Sequence, residues 1–189
     1  MKVFTPLSNK YRPEVDISDK LQDKEASYCQ YLIGILRWIV ELGRADICVE
    51  VSMMSYHLAF PRKGHMEQVL RIFVYLKGHA NSEMVFDPSE VEFDRADFPR
   101  QDWSYSIYTA DDCELKEELP PIMPKPRGNC LIMMVYVDSD HAGDMVTRRS
   151  RTGFVIFLNS APIYWSSKKQ TSCETSSFGS EFCAMKQAT

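Results

Sequence analysis

Residues 131–143, LIMMVYVDSDHAG, constrain the fold more than any other stretch. An apolar run over 131–137 ends abruptly in Asp138, Ser139, Asp140 and His141. A run of that length bounded by polar residues predicts a β-strand buried on both faces. Asp138 then falls where the strand leaves the core. A carboxylate at such a rim is partly desolvated yet still able to meet a metal ion or a substrate. The alternative is an ordinary strand-end turn built from Asp, Ser and Gly.

The sequence downstream repeats the strand pattern twice. Residues 153–158 (GFVIFL) and 161–166 (APIYWS) predict two more strands, with Pro162 tolerable near a strand start. Asn159-Ser160 supplies the tight turn between them, because Asn accepts left-handed backbone. The three strands form an antiparallel meander, with Asp138 at the end of its central strand. Lys168, Lys169 and Gln170 then read as a loop. Ser176 or Ser177 caps a helix that carries Glu181, Phe182, Met185 and Ala188. Glu181 thereby lies near the first turn of a helix crossing the sheet. Two carboxylates brought together from a strand and a helix repel each other unless a cation lies between them. Magnesium meets that need with hard oxygen ligands. Two such ions, about 4 Å apart, activate water and stabilise the leaving oxygen in phosphodiester cleavage.

The N-terminal half follows a helical period. Residues 1–22 are polar, carry Pro6 and Pro13, and predict an extended lead-in. A first helix starts at Asp23, with Leu32, Ile35, Leu36, Ile39 and Leu42 as its apolar stripe and Gly43 as its C-terminal cap. Asp46 is placed to cap a second helix, with Ile47, Val51, Met54 and Leu58 inward and Pro61 as its stop. A third runs over 65–77 with Met66, Val69, Leu70, Phe73 and Leu76 inward, and Gly78 ends it. Three amphipathic helices with short connections predict a small bundle. Arg62, Lys63, His65, Arg71 and Lys77 either face a nucleic-acid backbone or form a solvated surface.

Charge separates the parts further. The 189 residues carry a formal charge of -4, which argues against a basic footprint along the whole chain. Residues 83–118 are strongly acidic, whereas 144–189 set Arg148, Arg149, Arg151, Lys168, Lys169 and Lys186 against three acids. A local phosphate-contacting surface fits that end, as does a solvated charged face. Residues 83–86 predict a short strand, and Trp103, Tyr105, Ile107 and Tyr108 another. Asp111, Asp112, Glu114, Glu117 and Glu118 read as a solvated run rather than a metal cluster. Pro120, Pro121, Pro124 and Pro126 make a stiff linker and a domain boundary. Cys29, Cys48, Cys113, Cys130, Cys173 and Cys183 form no C-x-x-C pair, and no His is spaced as a zinc partner. The start has no secretory signal and no apolar run approaches membrane-spanning length, so an intracellular chain with reduced thiols is expected.

Four motifs in order carry a resemblance. YVDSDHAG at 136–143, RRSRTGF at 148–154, APIYWSSKKQ at 161–170 and SSFGSEF at 176–182 resemble the ribonuclease H domain of Ty1/copia-type retrotransposon Pol polyproteins. In the N-terminal half, YLIGIL at 31–36, RADI at 44–47 and RIFVYLKG at 71–78 are similar to the helical thumb and connection of the same polyproteins. His141 departs from the family's aromatic residue, and Phe178-Gly179 from its common Thr-Glu pair. The resemblance implies an α+β chain: an extended lead-in at 1–22, a thumb-like bundle at 23–86, an acidic, Pro-rich insertion at 87–128, and a truncated ribonuclease H-like domain at 129–189.

By motif position the resemblance makes Asp138 and Glu181 magnesium ligands and catalytic residues, and gives Asp140 a structural role. Arg148, Arg149, Arg151, Lys168 and Lys169 become contacts to an RNA–DNA hybrid or another nucleic acid. The remainder of the Pol polyprotein is the other implied partner, in the cytoplasm within a virus-like particle or in the nucleus. A polymerase Tyr-X-Asp-Asp hairpin fits the first motif less well, because Ser139 separates carboxylates that must there be adjacent. The family's active site uses four acids, and two are expected beyond Thr189, so hydrolysis by this chain alone is expected to be very weak or absent. Two alternatives remain: a non-catalytic remnant that at most binds nucleic acid, and an unrelated interaction module.

Overall fold

The computed structural model describes residues 3–91, 120–124, 128 and 131–189. The expected strand around Trp103 to Tyr108 and the acidic run from Asp111 to Glu118 lie outside them. The described chain is mixed α+β. Helices α1 (Asp23–Glu41), α2 (Cys48–Ser55) and α3 (Lys63–Gly78) precede strands β1 (Met133–Asp140), β2 (Arg151–Leu158) and β3 (Ala161–Lys169), and helix α4 (Ser177–Ala188) follows. Residues 83–86 form no strand.

Cys29, Leu32, Ile33, Leu36 and Val40 of α1 are its buried face, packed on Ile47, Val51, Met54, Val69 and Ile72. The expected stripe is therefore rotated. Leu42 is 64% exposed because it is the C-cap residue and no longer faces the bundle. Gly43 does end the helix. Its φ of 117° lets its N–H reach Val40 O while the Arg44 N–H reaches Ile39 O, the paired bonds of a Schellman turn. Asp46 does not cap α2. It sits in a 3-10 turn, Ala45–Ile47, where its carboxylate takes two bonds from Arg44 at 2.8 Å and one from Tyr75 Oη at 3.1 Å. α2 stops at Ser55, well before Pro61. On α3, Leu70 faces outward and Ile72 is buried in its place.

The lead-in packs along α3 rather than running free. Leu21 N–H bonds Pro61 O at 3.0 Å, and Ser8 N–H bonds Gln68 Oε1 at 2.8 Å. His65 is buried, takes the Arg62 N–H on Nδ1, and places Nε2 3.0 Å from Pro13 O. Arg62 donates to Ser18 O and Lys63 pairs with Asp19. Arg71 Nη2 reaches Thr5 Oγ1 at 3.5 Å, so four of the five residues considered for nucleic-acid contact here hold the lead-in instead.

The meander forms with the order β1-β2-β3 and antiparallel pairing throughout. Asn159, at φ 54°, makes the turn between β2 and β3. Among the described residues β2 is therefore the central strand and β1 lies at an edge. The apolar run is not buried on both faces: Met133, Val135 and Tyr136 are exposed. Lys168 and Lys169 belong to β3 rather than to a loop. α4 packs across β1 and β2.

The helices and the sheet meet along β3. Trp165 packs against the bundle core, and its Nε1–H donates to Val40 O at 3.1 Å. From α2, Ser52 Oγ donates to Ser167 O at 2.6 Å. One turn on, the Tyr56 hydroxyl oxygen accepts the Lys169 N–H at 3.1 Å. Residues four apart share one helix face, so α2 and its C-cap cover the outer edge of β3 with polar partners.

Candidate functional site

Asp138 is the sixth residue of β1 and pairs with Gly153 of β2. Its side chain is exposed. Asp140 pairs with Arg151 and accepts the Arg151 N–H. A Cβ on Gly143 would lie 1.9 Å from Asp140 Oδ2, so glycine alone lets the loop close over this carboxylate. That accords with a structural part for Asp140. Ala142 takes a positive φ of 53° and its N–H donates to Ser150 Oγ, which pins the loop from inside.

Glu181 follows Ser180, a fully buried residue of α4. Ser176 Oγ caps this helix by accepting the Gly179 N–H at 3.1 Å. Gln170 anchors it, since its Nε2 donates to Ser180 O at 2.9 Å and to Thr152 Oγ1 at 3.1 Å. Thr152 pairs with Ser139, so Glu181 stands at the same level of β1 as Asp138. Asp138 belongs to the face of the sheet opposite α4, however. Paired and alternate residues share a face. Asp138 and Asp140 therefore share theirs with Arg151, whose guanidinium reaches α2, while Thr152 and Ser139 face α4. A cation bound by both Asp138 and Glu181 would have to sit around the outer edge of β1. Ser139 Oγ and Gln170 Oε1 are buried without a hydrogen-bond partner under α4. Nothing but its place in the SKKQ string singles out Gln170 in the sequence.

The five basic residues fall into two groups. Arg151 and Lys169 are engaged within the fold. Arg151 Nη1 donates to Ser52 Oγ at 2.7 Å and the guanidinium lies 5.5 Å from the Tyr56 ring centre. Burial lowers its pKa from the usual arginine value. Lys169 pairs with Asp144 at 2.7 Å and lies 4.8 Å from the same ring. Arg148, Arg149 and Lys168 are exposed and free to meet an anion. Tyr56, which the sequence did not mark, organises the first group from 95 residues before Arg151.

Among the described residues no group of three or more His, Cys, Asp or Glu side chains is placed to hold a metal ion. Asp138, on the face opposite α4, and Glu181 do not make a closed magnesium site by themselves. Cys29, Cys48, Cys173 and Cys183 are free thiols. No described helix is long and apolar enough to cross a membrane.

A bundle docked on a strand meander, with these motifs running through its strands and into α4, is similar to segments of retrotransposon Pol polyproteins. The chain is 26% identical over 180 residues, 95% of its length, to the Retrovirus-related Pol polyprotein from transposon RE1 of Arabidopsis thaliana. It is 28% identical over 165 residues to the Putative transposon Ty5-1 protein of Saccharomyces cerevisiae, covering 87% of this chain. It is 44% identical over 181 residues, 96% of its length, to an uncharacterized mitochondrial protein of Arabidopsis thaliana. The chain spans 9%, 40% and 58% of those three relatives respectively. It is thus a relative of the Pol polyproteins of Ty1/copia-type retrotransposons. No family profile matches the chain, and no solved structure does.

Proposed function

We propose that the chain is a Pol segment in which a thumb-like bundle rests on the first part of a ribonuclease H-like unit, and that it binds an RNA–DNA hybrid without cleaving it. The observation that carries this reading is the antiparallel meander crossed by α4, with Asp138 near the end of β1 and Glu181 beside the helix residue that Gln170 anchors. On this reading the intact relative hydrolyses the RNA strand of the hybrid made in reverse transcription, with magnesium held by a larger acidic set. Two carboxylates do not neutralise and position two divalent ions, so this chain supplies binding and orientation. Arg148, Arg149 and Lys168 supply contacts to backbone phosphates, which carry affinity but no base sequence. The remaining Pol polyprotein is the natural partner, inside the cell in a virus-like particle or in the nucleus.

The test uses the full 189-residue chain, a labelled RNA–DNA hybrid and magnesium, beside Asp138→Asn and Glu181→Gln variants. Salt-sensitive binding with no cleavage product from any of the three is expected. Cleavage by the original chain that both variants lose would overturn the non-hydrolytic part. Absence of salt-sensitive binding would overturn the nucleic-acid reading and leave an interaction module.

A further inference from the structure

We propose that Arg12, from the lead-in, and Arg149 form a two-arginine cradle for one backbone phosphate of the bound nucleic acid. This rests on the hybrid-binding reading and adds a residue that no motif marks. A cavity of about 110 Å³ opens between the lead-in and the loop after β1, with both arginines on its wall. That volume is well below the size of a pocket for a whole organic ligand, so it suits a single charged group.

The other charged groups on the wall already have partners, one of them an ion pair. Asp144 is paired with Lys169 at 2.7 Å. Asp140 accepts the Arg151 N–H, and Glu14 accepts the Met145 N–H at 3.3 Å. Arg151 is committed to Ser52 and Tyr56. Four cationic side chains face three carboxylates, an excess of one positive charge on the wall, and Arg12 and Arg149 are the two whose guanidinium groups are not taken up by Asp144 or by Ser52 and Tyr56. Arg12 is exposed and spends one donor, Nη1, on Gly143 O at 3.2 Å. That bond fixes the guanidinium against the loop while its remaining donors stay open. Arg149 is exposed and its side chain makes no hydrogen bond or ion pair among the described residues. Two planar forks converging on one small space match the oxygens of a phosphate.

The position gives the cradle a purpose. Asp140 is on its wall, and Asp138 lies two residues back on the same face of β1. A strand whose phosphate rests between Arg12 and Arg149 therefore passes beside Asp138. Arg12 and Arg149 are phosphate-positioning residues on this account.

The experiment measures hybrid affinity of the full chain by fluorescence anisotropy without divalent ions, from about 50 to 200 mM salt. Arg12→Ala and Arg149→Ala are each expected to flatten the plot of log affinity against log salt, and the double variant to flatten it by about 0.7–0.9 in all, one phosphate's worth. Arg12→Lys is expected to keep most of the original slope. Lys24→Ala, exposed in the first turn of α1 and away from the cavity wall, is expected to leave it unchanged. Arg149 has no structural bond to lose, so its variant reads binding rather than folding. An unchanged slope in either alanine variant, with the original chain still binding, overturns the cradle and leaves hybrid binding standing. Absence of salt-dependent binding by the original chain overturns both.

Discussion

Asp144 shows how one side chain sets the behaviour of the loop after β1. Burial raises its pKa, but hydrogen bonds from Lys169 and Thr147 reverse that and hold the carboxyl well below the usual range. Val146 and Thr147 N–H groups share one oxygen, and Lys169 takes the other. Both partners are mostly buried, with side-chain exposures of 16% and 11%, so screening by solvent is limited. A folded pKa below the unfolded one means that the stabilisation is complete above about pH 4, the ordinary aspartate range. It is lost as the pH falls through the folded value. Urea unfolding from pH 7 to pH 3 should show the chain weakening below about pH 4. Asp144→Asn should cost roughly 1–3 kcal/mol at neutral pH and make the acid limb shallower. An acid limb equally steep in the variant would assign that weakening to other carboxylates.

At the scale of single elements, helix ends are where a local rule meets the fold. Ser176 bonds the third helical N–H of α4, and Ser176→Ala should lower stability by about 1 kcal/mol in chemical unfolding at neutral pH. That cap was legible in the sequence, as were the Gly43 turn and the left-handed Asn159, because each depends on neighbours a few residues away. Features set by distant neighbours were not. The inward face of α1 is turned towards Cys29, Ile33 and Val40 because α2, α3 and Trp165 together choose it, while Ile39 is only partly buried. The apolar run of β1 suggested a strand sealed on both faces, yet hydropathy does not say which strand occupies the middle of a sheet. Lys168 and Lys169 looked like a loop, since the aromatic ring and the carboxylate that receive Lys169 lie 113 and 25 residues away. For the site, motif order located Asp138 and Glu181, but only the strand register revealed that Asp138 belongs to the face opposite the helix that carries Glu181. Arg12 stayed hidden because its partner, Gly143, is 131 residues further on.

For the whole molecule, the indole of Trp165 and the hydroxyl of Ser52 join the bundle to the meander. The two should therefore unfold together. Far-ultraviolet circular dichroism and tryptophan fluorescence should give coincident melting curves. Trp165→Phe removes the bond to Val40 O, which still accepts the Gly43 N–H, so the cost should be about 0.5–1.5 kcal/mol. Two separated transitions in the original chain would show that the contact is too weak to couple them. The same junction gives the sheet a direction of growth. With α2 plugging the flank of β3, the open flank among the described residues is that of β1, and a strand added to this sheet, from a second copy for example, would join there. Two copies meeting there about a twofold axis would close on each other and stop, their far flanks both blocked, so this architecture favours a finite pair over an endless fibre.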